Sequence, residues 1–494
     1  MAFGFFSGKD DFADIIYTGG TIHTMDDSMP LADAVACKGG MILRVGTDED
    51  MRDIIGDDTE IFDLEGMHMF PGFIETDAAP VLDAIDEDVC FVINERENID
   101  EILAELAEYI NDHFNDTTDD TEEALFRSFG HTDGGGMFGS DETNEDELFG
   151  NEEYFEIPDV IFGYGFNAEI LKDMELIERQ HLLDEICDGT PILLLSEDGL
   201  TGWFNTAAFD IASAAAEESG TEILTLPFML SALAPVDPMK FESSSFEVLQ
   251  GYCREGFTTV FEGSAGSYLT GVFEELQMNL ITESNAKLRF INGIYICSEV
   301  NSQYIDMQLK NHKTNYQELN GMIMGGIVSA HIHDGNLSGE YLTDMMKTAA
   351  SRGATVMLEA ESPEDTDLCR SAIRAFREKA GGKTEILLSH DGILMESDTH
   401  FEYELLPAAG TVEDKIRIRT VLAAEKLGLS HLLGSVSEEK YADFTVFEDD
   451  PLLKPLIRGE MPDADMTVIA GEIVYDAADD NSSIWSMMTS SQVL

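Results

Sequence analysis

Two histidines on alternate residues, His331 and His333 in the string SAHIHDG, are the side chains of this sequence best spaced to do chemistry. On a strand, alternate side chains share a face, and two imidazoles so placed can grip one metal ion. Such an ion lowers the pKa of a bound water to near neutrality, and a nearby carboxylate can then take its proton. Such a pair could contribute to a site for zinc or another divalent metal. The plainer reading is that the histidines hydrogen-bond to neighbouring carboxylates, as imidazoles commonly do. Other chemistries find no residues. There is no G-x-S-x-G nucleophile elbow, and the Gly-rich strings DGGGMFG and MIMGG lack the Lys-Ser/Thr of a phosphate loop. The six cysteines are scattered without a CxxC pair, which suggests buried, reduced thiols rather than zinc knuckles or disulfides.

The elements that must position these residues fall into two textures. The first 75 residues alternate short β-type runs with turn signals, Gly19-Gly20 and Gly39-Gly40 among them, and the same texture returns in YADFTVFEDDPLL and MTVIAGEIVYD. Residues 1–75 and 436–480 are therefore expected to build one small β-sandwich. Between them, over 76–435, apolar runs such as PILLLS, FTTVFEG, LRFINGIY and TEILLSH alternate with helical stretches such as LTDMMKTAASRG. That pattern predicts an α/β fold of the TIM-like (β/α) barrel kind. Residues 116–156 break it: their acidic side chains face a single arginine, Arg127, and they read as an inserted acidic loop. Residues 481–494 form a C-terminal tail. The 23 methionines, MIMGG and MMK included, read as core filler.

Several ordered motifs carry a resemblance. MHMFPGFIETDAAP resembles the "PGFID" strand that precedes a His-x-His pair in the metal-dependent amidohydrolase superfamily. PILLLSEDGLTGWFNTAAFDIA is similar to the "D-G-H-S-x-W-V-N-S-x-A-L" segment of the amidohydrolase family 3 branch, which includes the N-substituted formamide deformylases. EGFTTVFEGSAG, SAHIHDGNLSG and GSVSEEKYADFTVFEDDPL resemble that branch's "G-I-T-T-V-x-D", "V-K-x-F-x-D-G-x-L" and closing "K-x-A-D-L-V-V-L-D-x-D-P" strings. The resemblance covers nearly all of the chain outside the acidic loop. It implies a barrel carried on a β-sandwich and hydrolysis of non-peptide C–N bonds at a metal.

Position by position, the chain departs from that pattern. The His-x-His pair falls at Asp77 and Ala79, and the lysine that bridges metals in many relatives falls at Ala330. Glu359 stands where the branch has a histidine, while His390 matches one. Asp198, Trp203 and Asn205 keep part of the substrate-side segment, but its "H-S" has become Leu200-Thr201. Only residues 391–410 separate His390 from the closing helix, too few for the final barrel unit, which implies a trimmed barrel. The expectation is an amidohydrolase relative that has lost catalysis, has no resident cofactor and serves as a binding or self-assembling protein. The alternative is an active C–N hydrolase with a rewired site of Asp77, His331, His333, Glu359 and His390.

The net charge of −70 excludes nucleic acid as a partner and leaves divalent cations, a basic protein or a homo-oligomer that shares cations. No run approaches the roughly 20 apolar residues of a membrane span, and MAFGFFSGKDDF lacks the pattern of a signal peptide. A cytoplasmic protein without membrane partners is expected.

Overall fold

The computed structural model describes residues 12–478, apart from 79, 81–83, 85–89, 94–97, 115–159, 173, 197–200, 220–225, 234–237, 263–276, 279–280, 282–286, 297–298, 316–318, 320, 334, 381–383, 391–392, 397–410 and 454–460. The acidic loop, the C-terminal tail and Asp198 lie outside the described residues. Contacts divide the chain into two units, residues 1–88 with 238–494, and residues 89–237.

In the first unit, both ends of the chain make a two-sheet sandwich. Strands β1 (Ile15–Thr18), β4 (Ala34–Lys38), β5 (Met41–Gly46) and β6 (Glu60–Asp63) form one sheet, in the order β5-β4-β1-β6. The other holds β2 (Thr21–His23), β3 (Leu31–Ala32) and β7 (His68–Pro71) from the N-terminal segment. It is completed by β19 (Phe444–Phe447), β20 (Met466–Ile469) and β21 (Glu472–Asp476). Gly39 and Gly40 both take positive φ, which lets a two-residue turn join β4 to β5 with Lys38 paired to Met41. Tyr17, Ile22, Val35, Met69, Phe444 and Val468 fill the space between the sheets.

The same unit holds a seven-stranded sheet in the order β18-β17-β16-β15-β14-β13-β8. Its strands are β8 (Phe73–Ala78), β13 (Phe257–Glu262), β14 (Arg289–Ile296), β15 (Ile323–Ile332), β16 (Thr355–Ala360), β17 (Ile386–His390) and β18 (Ile393–Glu396). The first six are parallel, and β18 returns antiparallel to β17. The expected barrel therefore takes the form of an open half-barrel: with a short hairpin strand after β17, and few residues before the closing helix, no further strand–helix–strand crossover fits.

Alternation along these strands sorts two faces. Val328, Ala330 and Ile332 of β15, with Val356, Leu358 and Ala360 of β16, pack against three helices. These are α6 (Ser302–Asn315), α7 (Gly339–Arg352) and α8 (Pro363–Ala380). Ser338 caps α7 by accepting from the Tyr341 N–H, and Gly353 ends it at φ +71°. Met345 and Met346 of α7 are buried there, which bears out the reading of MMK as core. On the opposite face, Ile74, Phe261, Ile291 and Ile327 pack against α10 (Ala423–Lys426), the end of a helical run begun by α9 (Val412–Arg417) and continued through a π-type turn at Ile418–Leu422.

The paired glycines of MIMGG serve this sheet. Between the pairs Ile291–Met324 and Gly293–Ile327, β15 carries one extra residue, and Gly326 sits in that bulge at φ +95°. A Cβ on Gly325 would lie 2.6 Å from the ring of His312, which is itself buried. Gly325→Val is expected to cost about 1–3 kcal/mol through overpacking at α6. Thermal melts should show the loss, and an unchanged midpoint would mean that His312 moves aside freely.

The second unit occupies the chain between β8 and β13, although those two strands pair directly with each other. Its sheet, in the order β12-β11-β10-β9, comprises β9 (Phe91–Val92), β10 (Ile161–Phe166), β11 (Ile192–Ser196) and β12 (Gly202–Phe204), the last antiparallel. Helices α1 (Ile99–Phe114), α2 (Leu176–Asp184), α3 (Thr206–Ser219) and α4 (Leu226–Leu233) accompany it, and α5 (Pro238–Arg254) leads back into β13. Ile102 and Leu106 of α1 pack with Phe166, Leu194 and Trp203 in its core. The five described cysteines are thiols outside any disulfide, and Cys37, Cys90, Cys253 and Cys369 are buried.

Candidate functional site

The carboxyl ends of β15, β16 and β17 bring part of the predicted set together. Cα pairing places His331 beside Glu359, and Glu359 beside Ser389, so the three form one row across adjacent strands. The row belongs to the face opposite helices α6 to α8, since its neighbours in the strands, Ala330, Ile332, Leu358 and Ala360, are the helix-packed residues. In parallel α/β folds ligands meet the strands at this end. His333, just beyond β15, keeps its ring near that of His331, with centroids 5.3 Å apart and planes at 53°. The turn after them is fastened by Asn336, which accepts from the His333 N–H at 3.0 Å and donates to the His331 carbonyl at 2.8 Å.

The side chains of two predicted members, Asp77 and His390, lie outside the described residues. Along the main chain, His390 pairs with Ala360 and Asp77 falls where the pairing of β8 with β13 shifts register between Val260 and Glu262. Ala330 is fully buried in the helix-side core, where its small size suits close packing and no ligand atom is presented to the other face.

His331 has its own partners. The Tyr295 hydroxyl lies 3.3 Å from its Nδ1, and the Glu361 carboxylate lies 3.8 Å from its Nε2. Both ring nitrogens thus face protein groups. Glu359 is exposed. A hydrolytic metal takes at least three convergent protein ligands, oriented by a second shell. Among the residues whose side chains are described, His331, His333 and Glu359 do not form such a convergent group.

Trp203 and Asn205 are used by the fold of the second unit. The Trp203 indole N–H donates to the Arg179 carbonyl at 2.7 Å, and its ring meets Phe166 edge-on. Asn205 Oδ1 accepts from the N–H groups of Ile192 and Ala208, while its Nδ2 donates to the carbonyls of Cys187 and Thr190. Both side chains are buried and their polar atoms are spent on main chain, which leaves them a structural part.

No protein-family model matches the chain. Short stretches are similar to two curated proteins. Protein LONG AFTER FAR-RED 3 of Arabidopsis thaliana is 44% identical over 64 residues, 13% of this chain and 11% of that protein. Exoenzymes regulatory protein AepA of Pectobacterium carotovorum subsp. carotovorum is 33% identical over 103 residues, 21% of this chain and 22% of that protein. The matches thus span only 11% and 22% of those relatives. Among solved structures, an uncharacterized metal-dependent hydrolase from Pyrococcus horikoshii OT3 aligns over 89% of this chain and 98% of its own, with a TM-score of 0.50 and 12% identity. The chain shares the fold of that hydrolase. Sandwich and parallel sheet are both present, while Ala79 and Ala330 stand where the resemblance places a histidine and a lysine.

Sequence reasoning passed over two features. Tyr295 holds His331 from the neighbouring strand β14, a contact fixed by register and invisible to spacing. His23, His68 and Asp450 converge in the sandwich from three distant parts of the chain, and no local motif marks them.

Proposed function

We propose that this chain is a non-catalytic protein of amidohydrolase fold, one that has lost C–N bond hydrolysis and works through binding or self-association. One observation carries the reading: at the carboxyl ends of the parallel strands His331 meets Tyr295 at 3.3 Å and Glu361 at 3.8 Å, while Ala79 and Ala330 stand where the resemblance places a histidine and a lysine. Without a metal to activate water, the fold alone supplies no hydrolysis. The charge of −70 fits a protein whose contacts are made through carboxylates, either to a basic protein or to further copies of itself across shared cations. Among the described residues no helix is long and apolar enough to cross a membrane.

The test is turnover of N-acyl and formamide substrates by protein incubated with zinc or manganese. Rates equal to those of metal in buffer are expected. The adjacency of His331 and Glu359 favours one competing reading, a hydrolase that uses Asp77, His331, His333, Glu359 and His390. Turnover that disappears in His331→Ala would establish that reading and end this one. Sedimentation across salt concentrations, with and without a chelator, addresses the self-association: an assembly held by shared cations separates when they are removed.

A further inference from the structure

His23 closes β2 and His68 opens β7, two strands that run parallel with Thr21 paired to His68 and Ile22 to Met69. Ile22 and Met69 face the sandwich core. Alternation therefore turns Thr21, His23, His68 and Phe70 to the other face of the same sheet. There the His23 ring stacks on Phe70, with centroids 4.3 Å apart and planes at 4°, and Phe70 packs with Phe73, Phe257 and Phe447. The stack fixes one imidazole. His68 pairs across the sheet with Phe447 of β19, and three residues further on Asp450 begins the 3₁₀ turn Pro451–Leu453. One oxygen of Asp450 accepts from the Leu452 N–H at 2.9 Å, which holds the carboxylate at the end of the strand.

The result is a convergence of two imidazoles and a carboxylate from residues that the sequence keeps far apart. Their ligand atoms all lie within 4.8 Å of one another. His23 Nε2 and His68 Nδ1 are 3.2 Å apart. Two nitrogens about 2.0–2.1 Å from one tetrahedral zinc are separated by roughly 3.3 Å, so the pair already has the spacing of adjacent ligands. His23 is only 9% exposed.

We propose that His23, His68 and Asp450 form a binding site for a borderline divalent ion of the zinc or cobalt(II) class, lying in the sandwich and separate from the parallel-strand ends. Two imidazoles and one carboxylate select such an ion over magnesium or calcium, which prefer all-oxygen shells. Bound there, the ion would tie β2 and β7 of the N-terminal segment to the turn after β19, closing a long loop of chain. Three protein ligands leave one position for water. The site needs no contribution from the barrel residues, so it stands whether or not the protein hydrolyses anything.

The full-length protein should be titrated with cobalt(II) in a large excess of magnesium chloride, because magnesium will occupy the many surface carboxylates. Saturation at one equivalent is expected, with the intense visible absorption of four-coordinate cobalt, displaced by zinc and accompanied by a rise in the melting midpoint. The absorption should vanish in His68→Ala and Asp450→Asn and persist in His331→Ala. His68→Gln can preserve a hydrogen bond to His23 yet is a poor ligand, so a folded His68→Gln protein without the absorption separates lost ligation from lost structure. If the wild-type protein gives only the weak spectrum of six-coordinate cobalt that magnesium competes away, the histidines are a hydrogen-bonded pair and the proposal is wrong. Absorption unchanged in His68→Ala, or lost in His331→Ala, would place the ion elsewhere and overturn it equally.

Discussion

Arg289→Met should destabilise the first unit by about 3–5 kcal/mol, the loss expected when one partner of a buried ion pair is removed and the other charge is left without it. Arg289 opens β14 with a side chain that is 0% exposed. Its Nε and one terminal nitrogen donate to the two oxygens of Asp443 at 2.8 Å each, and its other terminal nitrogen donates to the Gly321 carbonyl at 2.6 Å. The Tyr441 ring lies 3.8 Å beneath the guanidinium, and Asp443 also accepts from the Ala470 N–H. This two-pronged pair fastens the parallel sheet to the sandwich next to β19. Lysine cannot reproduce the planar fork, so Arg289→Lys should recover only part of the loss. The double change Arg289→Met with Asp443→Leu removes both charges and should be much milder than either single change. Urea unfolding at fixed salt measures all four proteins; a single-mutant loss below about 1 kcal/mol would show that water reaches the pair.

The second large effect is expected at Asn205. Its carboxamide accepts two main-chain N–H groups and donates to two main-chain carbonyls in a fully buried position, capping α3 while holding β11 and the turn before it. Asn205→Ala strands those groups, at about 1–3 kcal/mol for each that water cannot reach, so a total of about 3 kcal/mol is a reasonable expectation. Asn205→Asp keeps the acceptor but sets a buried carboxylate against the Cys187 and Thr190 carbonyls, and should cost at least as much. Hydrogen exchange confined to residues 89–237 would locate the damage in the second unit. Strong loss of ligand binding with unchanged exchange would instead return Asn205 to a substrate-side role.

These two residues illustrate what the sequence could and could not convey. The sandwich was legible in part: Gly39-Gly40 marks the β4–β5 hairpin and takes the positive φ values such turns require, whereas Gly19-Gly20, expected to mark a hairpin, joins β1 to β2 in the other sheet. The parallel sheet was legible from apolar runs alternating with helical stretches. The Arg289–Asp443 pair was not, since its members are 154 residues apart and nothing local distinguishes them from surface charges. The ordered motifs identified Trp203 and Asn205 as a preserved string, but a preserved residue type does not say whether it faces a ligand or main chain. MIMGG offered glycines without a phosphate-loop ending; a bulge against His312 accounts for them.

The candidate site was legible only in part for a related reason. His331 and Glu359 do fall side by side, a relation set by strand register and not by spacing along the chain. The trio of His23, His68 and Asp450 comes from a strand end, a strand start and a turn, so its convergence exists only after folding.

The most direct test of a non-catalytic amidohydrolase fold is the metal content of the His68→Ala protein, after zinc loading and exhaustive dialysis against magnesium-containing buffer. That variant removes the sandwich site and leaves the parallel-strand ends intact. No zinc, iron or manganese is expected in stoichiometric amount. One retained equivalent that is lost on further substitution of His331 or His390 by alanine would contradict it.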